Sequence, residues 1–281
     1  MARIAILTDS TANMPPEWVE RFNILVVPLK IHWGGETLVD GVDITPAQFY
    51  ERLAKDPISP TTSQPSPEAF LQAFEKLAPS CEGIIVPLIS SGISGTVASA
   101  QIAASQFRRV PVQIVDSHSA SAGLALTVLA GARAAEQGCS LEEVAQAARS
   151  AARGMYFYFV VDTLEYLHRG GRIGGAARFF GSALSIKPIL FFDNEGKIDA
   201  LERVRTKRKA LERLIDLAEE KAGGRPVHLG LLHATAPDAA AELQARLLER
   251  LNCREAHTFE LSPTIGAHVG PGTVGVAFHA D

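Results

Sequence analysis

Hydrophobic positions along the chain fall into two rhythms. Short continuous apolar runs, Arg3 to Thr8, Ile24 to Leu29, Gly83 to Leu88, Val112 to Val115, Phe157 to Val161, Val227 to Leu232 and Val274 to Phe278, read as strands, the first of them buried. Between them, apolar residues recur at helical spacing over Thr45 to Leu53, Glu68 to Leu77, Ser119 to Gln137, Leu141 to Ala152 and Asp238 to Leu251. Thr45-Pro46 supplies an N-cap and a first-turn proline, and Pro15-Pro16-Glu17 opens a short helix in the same way. Ser119 to Gln137 is so rich in alanine, leucine and valine that burial on most sides is expected. Ile31, Trp33, Leu38 and Val42 predict an extended, turn-rich excursion after the second strand, and Asp40-Gly41-Val42-Asp43 reads as a turn. Asp193-Asn194-Glu195-Gly196, between Ile186 to Phe192 and Lys197 to Leu201, predicts a hairpin.

In the first half, strand, polar edge and helix repeat at intervals of about thirty residues, the spacing of a doubly wound α/β domain with a parallel sheet. The second half mixes strands, helices and a hairpin, which predicts a mixed α+β domain. Arg153-Gly154 is the expected hinge, giving domains 1–155 and 156–281, and 281 residues suffice for two cores.

Composition narrows the function classes. Hydrophobic residues at 47% and charged residues at 21% describe a globular chain rather than a disordered one. A net charge of -4 gives no general pull toward nucleic acid or an anionic membrane. Cys81, Cys139 and Cys253 are far apart and odd in number, which fits a reducing cytoplasm and neither a disulfide framework nor a thiolate zinc site. The first apolar run meets Asp9 too soon for a signal sequence, and no stretch reaches the length of a membrane span.

The chemistry gathers in a few polar loops. Ser90-Ser91-Gly92-Ile93-Ser94-Gly95-Thr96 follows an apolar strand and opens a helix, so hydroxyls and free N–H groups converge where an anion is held well. The glycines let the backbone approach whatever sits there; ordinary capping of a tight turn is the competing reading. Thr61-Thr62-Ser63-Gln64, bounded by Pro60 and Pro65, is a stiff hydroxyl-dense loop, or a linker capping the next helix. Arg169-Gly170-Gly171-Arg172-Ile173-Gly174-Gly175 can bring two guanidinium groups to an anion, or be a solvated turn. His268 sits in a glycine- and proline-locked loop before the last strand. No glycine loop fits a nucleotide-binding pattern, and the eight histidines show no metal-ligand spacing, so neither cofactor nor metal is expected. Ser94 with Asp116 and His268 could form a hydrolase triad, although the glycine spacing is one residue short of a nucleophile elbow. Arg203, Arg205, Lys207, Arg208, Lys209 and Arg213 form a basic patch without interleaved aromatics, a solvated face or a dock for an acidic protein rather than nucleic acid.

Taken in order, Leu7-Thr8-Asp9-Ser10-Thr11, Pro60 to Pro65, Ser90 to Thr96, Val115-Asp116-Ser117-His118, Arg169 to Gly175 and Ile265-Gly266-Ala267-His268-Val269-Gly270-Pro271-Gly272 resemble the DegV family, from about residue 3 to the C-terminus. The resemblance implies a cytoplasmic two-domain α/β protein holding a long-chain fatty acid between its domains. By the same resemblance the carboxylate is bound by Thr62 and Ser94, with Ser63 and Gly95 from the same loops and with His268 and Arg172 nearby, Arg169 being the competing arginine. It also implies a non-catalytic carrier that presents the acid to a separate ATP-binding kinase subunit for acyl-phosphate formation. Arg203, Arg205 and Lys209 are the expected docking surface for that subunit. A serine hydrolase using Ser94 and a sensor of a small polar metabolite are the alternatives.

Overall fold

The computed structural model describes residues 3–181 and 187–280. In chain order, β1 (Ile4–Asp9) and α1 (Pro16–Arg21) lead to β2 (Leu25–Val27), β3 (Lys30–Trp33), β4 (Glu36–Val39), α2 (Pro46–Lys55) and β5 (Thr61–Ser63). Then come α3 (Pro67–Leu77), β6 (Gly83–Leu88), α4 (Thr96–Gln106), β7 (Val112–Asp116), α5 (Ser121–Glu136) and α6 (Leu141–Arg153). The second half contains β8 (Tyr156–Val160), α7 (Glu165–Arg169), β9 (Lys187–Phe192), β10 (Ile198–Val204), α8 (Lys207–Ala222), β11 (Val227–His233), α9 (Pro237–Arg250), β12 (Cys253–Glu260), α10 (Pro263–Val269) and β13 (Val274–Ala280).

The first sheet, β2-β1-β6-β7, is parallel throughout. Alternation along β6 decides what covers it: Ile84, Val86 and Leu88 pack with α3 and α4 through Phe70, Phe74 and Val97, whereas Ile85 faces Leu124, Val128 and Val144 of α5 and α6. Helices on both faces make this the expected doubly wound unit. The second sheet, β10-β9-β8-β13-β11-β12, is mixed, with only β11 and β12 parallel. Its Tyr158, Val160, Leu229 and Val276 pack under α8 and α9, and Phe157, Phe159 and Leu190 on the other face pack against α5. Helix α5 therefore lies between the two sheets, and eleven of its sixteen residues are buried. Among the described residues no helix is long and apolar enough to cross a membrane.

Four expectations are corrected. Thr61 to Ser63 is not a loop but a strand pairing antiparallel with β3, Thr62 opposite Ile31, in a small β4-β3-β5 sheet. His268 lies not in a loop but in the last turn of α10, which Gly270 ends at φ 73°. Strand β12 was not expected: it is the outer strand of its sheet, and only Phe259 within it is fully buried, so its sequence reads as polar. The basic run is divided, Arg203 and Val204 ending β10 before α8 begins at Lys207. The expected strand start at Ile186 lies outside the described residues.

Candidate functional site

A narrow cavity, whose roughly 730 Å³ of atom-free space includes open solvent at its mouth, runs between the two sheets. Its walls are mostly apolar: Phe157, Phe159 and Phe192 from the second sheet, Ile89 and Ile93 from the turn after β6, and Leu232 and Leu261 beside β12. Polar groups concentrate on α10, β5 and the serine turn.

The Thr62 Oγ1 and His268 Nε2 atoms lie 2.7 Å apart. The other imidazole nitrogen, Nδ1, is buried without a partner, and it faces Gly170 so closely that a Cβ there would sit 2.2 Å from it. A buried N–H left unpaired costs more than a bare lone pair facing carbon, so the proton belongs on Nε2, which donates to Thr62. The Thr62 hydroxyl then keeps its own proton for a ligand in the cavity. Burial, and after it the positive charge of Arg172, push His268 down to about 4. The imidazole is neutral at physiological pH.

Arg172 lines the same cavity. Its Nε donates to the Ile93 carbonyl at 3.0 Å and its Nη1 to the Gly170 carbonyl at 2.7 Å. Among the described residues it forms no ion pair, so a fixed guanidinium faces the cavity with its charge unmatched. Arg169, the competing arginine, bonds Ser59 and Glu165 and lines a neighbouring hollow that Thr62, Arg172 and His268 also line.

Ser94 also lines the cavity, its Oγ 2.8 Å from Thr96 Oγ1 at the amino end of α4. Thr62, Ser94, Arg172 and His268 are thus brought together, from β5, the serine turn, the segment after α7, and α10. Ser63 is not: alternation along β5 turns it away, and its Oγ meets His32 Nε2 at 2.8 Å. Gly95 falls outside the cavity wall, and a Cβ there would press on the Gln64 side chain. At Gly92 the close approach is by another part of the chain, the Glu195 and Gly196 backbone of the hairpin, rather than by a ligand. Ser90 Oγ locks that contact by donating to the Gly196 carbonyl at 2.7 Å. Sequence reasoning missed Gln64, Ser121, Thr264 and Thr273 as lining residues.

The triad of Ser94, His268 and Asp116 is not assembled. The His268 Nε2 is taken by Thr62, its Nδ1 has no carboxylate, and Asp116 accepts from the backbone N–H groups of Ser91 and His118. Two buried carboxylates instead hold the scaffold. Asp9 accepts from the backbone N–H of Ile89 and Thr11, fixing the end of β6 to that of β1. Asp40 accepts from Ser10 Oγ and from the Thr264 N–H, tying the turn after β4 to the start of α10. Among the described residues no cluster of histidine, cysteine or carboxylate is placed to hold a metal ion.

Comparison with known proteins agrees over the whole length. Residues 3–281 match the family model described as "Uncharacterised protein, DegV family". A DegV domain-containing protein of Streptomyces coelicolor is 42% identical, over 97% of both chains. The structure of a DegV family protein from Thermus thermophilus, described as fatty acid binding, superposes with a TM-score of 0.94 at 36% identity, over 99% of this chain and 100% of that one. DegV of Bacillus subtilis, described as a fatty acid binding protein, superposes at 0.91 with 33% identity over the full length of both. On sequence and fold together, the chain belongs to the DegV family.

Proposed function

We propose that the protein binds a long-chain fatty acid in the cavity between its sheets, with the carboxylate among Thr62, Ser94, His268 and Arg172. The observation that carries this reading is an apolar cavity whose polar end combines two hydroxyls, a neutral imidazole and an unmatched guanidinium. A buried carboxylate needs donors and positive charge or it protonates or leaves. An acyl chain of about fourteen methylenes gains on the order of 11 kcal/mol on leaving water, at about 0.8 kcal/mol each. Drawn from a membrane the net gain is much smaller, so the head-group contacts decide orientation. The fatty-acid-binding relatives of similar sequence support the same ligand class.

On this reading the protein is a carrier rather than a catalyst, with domains 1–155 and 156–281 closing on the ligand. It presents the carboxylate in the cytoplasm to an ATP-dependent kinase subunit that forms the acyl phosphate. Arg203, Arg205 and Lys209 are the docking surface we assign to that partner. Support comes from their exposure and from the placement of Lys207, Arg208 and Lys209 in the first turn of α8, where cations oppose the helix dipole. An acidic partner relieves that cost. Lys207 and Arg213 are already engaged, by Asp162 and by Glu202 with Glu220.

The test is to purify the double variant Thr62→Ala with Ser94→Ala and identify released lipid by mass spectrometry. The expected result is loss of acid from a folded protein; full retention overturns the assignment of the head-group site.

A further inference from the structure

Most hydroxyls on the cavity wall already answer to another group of the protein. Thr62 meets His268, Ser94 meets Thr96, and Thr273 donates to the Val269 and Gly270 carbonyls. The Thr264 hydroxyl makes no hydrogen bond of its own, but it stands close enough to the Asp40 carboxylate to favour its charged form. Ser121 differs from all of these. It lines the same cavity, is 1% exposed, and its Oγ is buried with no hydrogen-bond partner among the described residues.

The backbone around it points the same way. Ser121 is the first residue of α5, a helix of sixteen residues whose start no side chain caps. The first N–H groups of a helix have no partner within it, and with the helix dipole they favour an oxygen lone pair placed beside them. Ser121 also holds φ 45°, in the left-handed region that serine seldom adopts. A buried hydroxyl left unpaired destabilises a fold, and an alanine of nearly the same shape would avoid that loss. The chain therefore carries a hydroxyl where folding alone gains nothing from it. Arg172 and His268 are the titratable side chains on the described wall, and His268 is neutral. A carboxylate belongs beside the Arg172 cation, so the oxygen that suits Ser121 is an uncharged one.

We infer that Ser121 and the start of α5 form a second polar subsite of the cavity, which hydrogen-bonds an oxygen carried on the acyl chain itself, a hydroxyl or an oxo group. This rests on the reading of the cavity as a fatty-acid site and names a ligand class within it, acids oxygenated at one position along the chain. A chain hydroxyl brought opposite Ser121 exchanges its hydrogen bonds to water for one to the protein. At any other place on an apolar wall it goes unpaired. A site built to pair a hydroxyl also rejects the analogue that lacks it, because its own polar group is then left without a partner.

The experiment is competition binding of stearic acid and a series of monohydroxystearic acids, the hydroxyl moved stepwise along the chain, to delipidated wild type and Ser121→Ala. Wild type is expected to bind one isomer, or two neighbouring ones, about tenfold tighter than stearic acid and the remainder about tenfold weaker. In Ser121→Ala the favoured isomer loses that advantage, while stearic acid binds tighter to the now apolar wall. Ser121→Gly, which also relieves the backbone at φ 45°, should give the same loss and so separates the hydroxyl from the strain. The oxo acid substituted at the favoured carbon should follow the hydroxy acid in all three proteins. A series in which no isomer stands out, or a preference that survives Ser121→Ala, overturns the subsite and leaves the fatty-acid reading intact. Equal weakening of stearic and hydroxystearic acids in Ser121→Ala overturns it as well, by assigning Ser121 to the carboxylate. Failure of wild type to bind any of the acids overturns the fatty-acid reading and the subsite with it.

Discussion

Thr62 and His268 are 206 positions apart in the chain, yet Thr62 Oγ1 and His268 Nε2 sit 2.7 Å from each other. Two elements make the meeting: β5, held by its pairing to β3, and α10, whose amino end is fastened by Asp40. The bond fixes the hydroxyl's direction as well as its position, because the imidazole accepts nothing on its buried face.

That buried face is open to a direct test at Gly170. Its backbone is ordinary, so the cost of a methyl there is purely steric: a Cβ would stand 2.2 Å from His268 Nδ1. Gly170→Ala should cost about 1–3 kcal/mol in denaturant unfolding and should weaken fatty-acid binding more than tenfold by displacing the imidazole. Wild-type affinity in this variant would show that His268 does not hold Thr62 for the ligand.

The pH dependence of stability separates His268 from its surroundings. An unfolded chain takes up a histidine proton near pH 6.5, whereas the folded protein refuses it until about pH 4. The contribution of His268 is therefore complete above about pH 6.5 and falls as pH is lowered toward 4. Asp9 runs the opposite way: burial, against hydrogen bonds from Ile89 and Thr11, lifts its carboxyl to about 6, so it gains stability for the fold as pH falls through the same window. Comparison with His268→Gln removes that background. Ligand-free wild type should lose about 2 kcal/mol relative to the variant between pH 7 and pH 5; a constant difference contradicts the buried neutral imidazole.

Outside the cavity lining, Glu255 gathers three partners. Arg133 reaches both its oxygens, at 2.5 and 2.6 Å, and His228 and His257 approach at 2.5 and 2.8 Å. Burial alone would raise this carboxyl, but the bonds from His228, His257 and Arg133 outweigh it and hold it far below the usual range. The cluster anchors the end of α5 to β11 and β12. Glu255→Gln should cost about 1–3 kcal/mol, discounted for the partial exposure of Arg133, and leave the acid preference of the folded protein unchanged. Altered ligand preference would mean that α5 transmits the change to the cavity.

Charge reversal at Arg205 and Lys209 tests the partner surface. Both side chains are exposed, Arg205 just before α8 and Lys209 in its first turn, so Arg205→Glu with Lys209→Glu should leave Tm within about 1 °C and lipid content as in wild type. Affinity for the proposed kinase subunit, read by titration calorimetry, should fall at least tenfold and lose its salt dependence. Undiminished complex formation places the dock elsewhere.

Most of the scaffold was legible because its strands are continuous apolar runs, and α5 announced its double burial through Ala122, Leu124, Ala125 and Val128. Strand β12 was not, since an outer strand with Arg254, Glu255, His257 and Thr258 carries no hydrophobic alternation. Strand β5 was hidden by its hydroxyls and flanking prolines, and α10 by glycine, proline and a length of seven residues. Ordered motifs pointed to Thr62, Ser94 and His268, and the structure places all three on the cavity wall, two of them in a strand and a helix rather than in loops. Ser63 was misplaced because only the β3 pairing decides which of two adjacent hydroxyls faces the cavity. Ser121 and Thr264 have no local signature; packing alone brings them to the wall.

The most direct measurement is native mass spectrometry of the purified protein, followed by denaturation and identification of what is released. The account predicts a mass shift matching one long-chain fatty acid per chain in wild type and its loss in Thr62→Ala with Ser94→Ala. A wild-type protein that stays at its bare mass even after incubation with oleate and palmitate would contradict it.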